Sequence, residues 1–123
     1  MSWKLEIYRA FFVAFGMFQI IANARYLSIK EGIELAAKQH QEIPKAASRK
    51  QLRTKVIFML TFGCLFLTLG FSSYIFRSVH EIYYSLVLIL FALYAVGEGL
   101  YYRYWKTIGF SIVSILVLII FIY

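Results

Sequence analysis

Three long stretches of the second half of the chain are almost free of charge, and this limits its fold more than any motif does. They run over 56–76, 82–102 and 107–123, and Glu98 is the one ionisable acid or base in them. A helix rises 1.5 Å per residue, so about 20 predominantly apolar residues cross the hydrocarbon of a bilayer. Such lengths in water would expose apolar surface on every side. The sequence therefore predicts an all-α polytopic membrane protein.

Composition agrees. Of 123 residues, 62% are hydrophobic and 15% charged, whereas soluble domains are about half apolar and a quarter charged. A fourth span is expected at 7–27, although Arg9, Gln19, Asn23 and Arg25 interrupt its apolar run. A cleavable leader is the competing reading of this segment. Glu6 and Arg9 precede the apolar stretch, Gln19 and Asn23 divide it, and no small-x-small cleavage site stands clear, so a retained span is expected.

Eight of the thirteen Lys and Arg residues lie between Arg25 and Lys55. The positive-inside tendency places loop 28–55 in the cytoplasm and, with four crossings, both termini outside. The link 77–81 is then external and the link 103–106 cytoplasmic. Trp3, Tyr8, Tyr74, Tyr83, Tyr84 and Tyr123 are expected at the outer interface, with Tyr26, Tyr101, Tyr102, Tyr104 and Trp105 at the inner one.

Residues 28–41 read as a helix continuing out of the first span, and Pro44 as the first turn of a second helix running into the span at 56–76. Together they predict a helical hairpin protruding into the cytoplasm. With no internal repeat or flexible linker, 1–123 reads as one four-helix bundle in a bacterial plasma membrane.

Two stripes carry the polar groups of the spans. Arg9, Phe12, Gly16, Gln19, Asn23, Tyr26 and Lys30 recur at intervals of three and four on the first helix, so that face should look inward or towards a partner. Thr61, Cys64, Thr68 and Ser72 repeat the pattern on the second span. The two stripes are expected to meet, with Gln19 finding a hydroxyl partner. Thr107, Ser111 and Ser114 mark one side of the last helix.

Lys45, Arg49, Lys50, Arg53 and Lys55 form a basic patch without an acid, suited to anionic lipid headgroups or a protein partner. It lacks the stacking aromatics of a nucleic-acid site. Glu98 lies between Gly97 and Gly99, about one turn from the inner edge, where Arg103 and other cations are expected at the same level. Glu98 is the leading functional candidate, as an acid that clamps the bundle or a partner.

Enzymatic chemistry has little to work with. The chain has no Asp, His40 and His80 lie far apart without metal-ligand spacing, Cys64 is single and mid-span, and no phosphate loop or nucleophile elbow occurs. No catalytic residue, metal or cofactor is expected. The reading is a non-enzymatic accessory, regulatory or protective subunit of a larger membrane protein. The alternative is a small oligomeric transporter or channel for ions or small cationic solutes, using Glu98. Length and span count are similar to those of the small multidrug resistance transporters. Their essential glutamate lies in the middle of the first span, where this chain has Phe15-Gly16-Met17, so membership is not assigned.

Overall fold

The computed structural model describes residues 3–76 and 79–123, all helix and connection, with no strand among them. Five helices follow in order: α1 (Trp3–Ser28), α2 (Gly32–Gln39), α3 (Arg49–Ile75), α4 (Glu81–Tyr102) and α5 (Trp105–Ile122). All but α2 are long and apolar enough to cross a membrane. Arg77 and Ser78, in the link expected to be external, lie outside the described residues.

The four long helices form two tight pairs, α1 with α3 and α4 with α5. Glycine sets the first contact: a Cβ on Gly16 would stand 2.5 Å from the Leu67 backbone nitrogen and 2.8 Å from the Gly63 carbonyl oxygen. Backbones that close are reached by small residues, which is how helices associate where no hydrophobic drive acts between them. Phe12 meets Phe66 within the first pair at 4.5 Å between ring centres, and aromatic rings also join the two pairs, with Phe12 4.7 Å from Tyr84 and Phe66 5.5 Å from Phe91.

The inward face of α1 carries the expected stripe as far as Asn23: Arg9, Phe12, Gly16, Gln19 and Asn23 are all buried, whereas Tyr26 is half-buried and Lys30 lies beyond the helix and is exposed. The facing stripe on α3 is not the expected one. Phe62, Gly63, Phe66, Gly70 and Ser73 turn inward, while Thr61, Cys64 and Thr68 face out. The reason is visible at Thr61, whose hydroxyl donates to the Ile57 carbonyl of its own helix at 2.9 Å and so needs no neighbour. Close packing, which needs glycine, decided the face instead.

Two of the expected interfacial tyrosines also belong to the core. Tyr8 donates to the Val117 carbonyl on α5 at 2.7 Å, and Tyr84 donates to Ser73 on α3.

The segment after α1 departs most from expectation. The first helix stops at Ser28, α2 is eight residues long, and Pro44 starts no helix. Helix α3 begins at Arg49, where Ser48 and Gln51 form a reciprocal cap: Ser48 Oγ accepts from the Gln51 N–H at 3.1 Å and Gln51 Oε1 accepts from the Ser48 N–H at 2.8 Å. Residues 29–48 do not extend the helices as a protruding hairpin. They fold back along α1, and a Cβ on Gly32 would stand 1.8 Å from the Tyr26 carbonyl oxygen, so the turn admits glycine alone. Ile33 and Ala36 pack on Val56, and Ile43, expected at the hairpin tip, is 4% exposed.

Candidate functional site: a buried ion cluster closed by the arm

The returning arm carries polar groups into the bundle. Gln39 Nε2 donates to Gln19 Oε1 at 3.3 Å, although Gln19 lies nine residues before the end of α1. Asn23 Nδ2 donates to the Gln19 carbonyl at 2.7 Å and to Gln19 Oε1 at 2.8 Å. That leaves Asn23 Oδ1 to accept, so His40 Nε2, 2.8 Å away, is the donor there. The other ring nitrogen, Nδ1, stands 3.6 Å from Glu42 Oε1.

Glu42 opens the ionic part of the chain of contacts. Lys55 Nζ lies 3.0 Å from Glu42 Oε1 and 2.6 Å from Glu98 Oε1, with its side chain 0% exposed. Tyr94 donates to the other Glu98 oxygen at 2.7 Å. The Lys55 ammonium also lies 4.2 Å from the Phe110 ring centre and 5.0 Å from that of Tyr94, within cation–π range. The lysine that ends the basic run is thus enclosed by two carboxylates and two aromatic rings.

Burial alone would raise the Glu42 carboxyl. The His40 contact and the Lys55 ammonium outweigh it and pull the group from 4.5 down to about 2. Thr107 on α5 donates to the Glu42 backbone carbonyl, so this residue ties the arm to α3 through charge and to α5 through its main chain.

Two recesses border the cluster. One is a groove of about 480 Å³ between α3 and α4 that reaches Glu98, Tyr94 and Tyr101. The other is a cavity of about 440 Å³ inside the bundle, whose floor is Gln19, Gln39, His40 and Glu42. Ser114 lines that cavity from α5, where its hydroxyl donates to the Phe110 carbonyl at 2.9 Å.

The sequence candidates divide between several places. Glu98, Gln19 and Asn23 enter the cluster. Lys55, expected in the surface patch, is withdrawn into it and is the cation that pairs with Glu98. Lys45, Arg49, Lys50 and Arg53 remain exposed, with Arg49 2.7 Å from Glu34. Arg103, the expected neighbour of Glu98, is exposed and ends α4 in the left-handed conformation, φ 50° and ψ 38°. Arg9 lies at the opposite end of the bundle, 4% exposed, with Nε donating to Ser73 at 3.0 Å and Nη1 2.5 Å from Glu6.

Of the two glycines beside Glu98, Gly99 packs on α5, where a Cβ would meet Ser111 Oγ at 2.8 Å, and Gly97 has nothing within 4 Å. Sequence reasoning missed His40 and Glu42 as site residues. The run His40-Gln41-Glu42 carries no spacing that marks a site, and only the fold brings it to Lys55. Among the described residues no group of three His, Cys, Asp or Glu could hold a metal ion. Comparison with protein-family models, curated proteins and solved structures finds no match.

Proposed function

We propose that the chain is a non-enzymatic integral membrane protein that acts as an accessory, regulatory or protective subunit of a larger membrane protein. In this reading α1, α3, α4 and α5 cross a bacterial plasma membrane, both termini lie outside, and the arm closes the cytoplasmic end. The cation-rich stretch 25–55 supports that orientation, and its exposed members, Lys45, Lys50 and Arg53, suit anionic headgroups there.

The observation that carries the reading is the outward face of α3. Thr61, Cys64 and Thr68 lie on it in a row, turned away from every other helix of the bundle. The Thr61 hydroxyl is bonded within its own helix, but side chains this small leave room for a partner helix to pack closely, with Cys64 and Thr68 within its reach. The ion cluster points the same way, because Lys55 and Tyr94 hold both Glu98 oxygens. A transporter working through Glu98 would first have to release that carboxylate.

Cys64 gives the test a handle. A short apolar crosslinker on its thiol, applied in native membranes, is expected to trap a larger membrane protein, and Thr61→Leu with Thr68→Leu to lose it. Capture of nothing but copies of the chain would replace the accessory reading with a homo-oligomer. Substrate uptake by the purified chain in proteoliposomes, abolished by Glu98→Gln, would favour transport instead.

A further inference from the structure

We propose that the internal cavity is a binding site for a lipophilic ammonium ion, one alkyl- or arylalkyl-amine in its protonated form. Its volume, about 440 Å³, lies within the usual range for small-ligand sites. Its walls include six phenylalanines, Phe11, Phe15, Phe18, Phe66, Phe91 and Phe110. Phenyl faces attract cations, and they solvate a hydrocarbon tail equally well.

The floor supplies what such an ion needs. Gln39 Oε1 is buried there without a hydrogen-bond partner, an acceptor that awaits a donor. Glu42 lies beside it. Its carboxylate lines the same floor, with the Lys55 ammonium 3.0 Å from one oxygen. A bound ammonium donates to the orphan amide oxygen, lies near the Glu42 carboxylate and sits among aromatic rings. An anion meets like charge, and a neutral alcohol gains a single hydrogen bond.

Entry is from the side. Phe18 and Val113 line the cavity yet are 56% and 58% exposed, so its mouth lies on the outer surface between α1 and α5. An amphiphile already dissolved in a bilayer would reach that mouth directly.

The test uses the full chain in lipid nanodiscs with 4-phenylbutylammonium as probe, 4-phenylbutanol and 4-phenylbutyrate as controls, and empty nanodiscs as the partition blank. One saturable site per chain is expected, with the ammonium bound at least about tenfold more tightly than either control, since charge-assisted hydrogen bonds exceed neutral ones by such factors. Ser114→Phe fills the cavity and leaves Lys55, Glu42 and Glu98 in place, so it should remove binding without lowering the unfolding temperature. Gln39→Leu deletes the orphan acceptor, together with the amide's bond to Gln19, and should weaken the ammonium several-fold. Equal affinity for the alcohol, or full binding by Ser114→Phe, overturns the proposal.

Discussion

At the residue scale the molecule turns on Lys55. Removing one member of a buried ion group leaves the others desolvated and uncompensated, at a cost of about 3–5 kcal/mol. Lys55→Met should therefore destabilise the protein by that order, because Glu42 and Glu98 would face each other unshielded. Adding Glu98→Gln to it should recover part of the loss. The four unfolding free energies of this cycle, measured in mild detergent, check the coupling.

The Glu42 carboxyl adds a pH dependence of known sign. Its folded value, about 2, lies below its ordinary 4.5, so ionised Glu42 stabilises the fold fully above about 4.5. That contribution fades as pH falls from 4.5 towards 2. Thermal unfolding across this window should show an acid limb that Glu42→Gln flattens. The glycines beside Glu98 separate by the same local logic. Gly97→Ala meets nothing and should gain about 0.5–1 kcal/mol of helix stability, while Gly99→Ala meets Ser111 and should gain nothing or lose.

At the scale of elements, glycine decides how closely α1 and α3 meet. Gly16→Val would press a side chain into the α3 backbone, which cannot move aside cheaply, and a loss of about 1–3 kcal/mol is expected in the same unfolding assay. The α1 stripe was legible because polar groups inside an apolar run must find partners, and their spacing of three and four put them on one face. The α3 stripe misled because a threonine can satisfy itself on its own helix, as Thr61 does.

The arm was misread for a different reason. Ile29, Ile33, Ala36 and Ala37 fit a helical period, but periodicity does not say where a helix stops or which way the chain then turns. The cues that did exist were local: Gly32 at the turn, and Ser48-Arg49-Lys50-Gln51, whose first and last residues spell a capping box four residues after Pro44. Glu98 was conspicuous for its isolation in an apolar run. Lys55 was not, since in sequence it is the last member of a basic patch, and its withdrawal depends on Glu42 arriving from the folded-back arm.

For the whole molecule, four helices fit a bilayer while the arm reaches back into one end of the bundle. The proposed orientation is checked by labelling from outside intact cells: tags at either terminus should be reached and a tag beside Lys45 should not. Lys55 holds this architecture together, joining the arm to α3 and α4 at once. Position 43 separates a folded-back arm from a protruding hairpin, because Ile43 is buried in the former and lies at the tip of the latter. In a Cys64→Ser background, a polar maleimide should label a thiol introduced by Ile43→Cys many-fold more slowly than one introduced by Lys45→Cys, and Lys55→Met should abolish the difference. Equal labelling at the two positions in the otherwise native chain would contradict the folded-back arm.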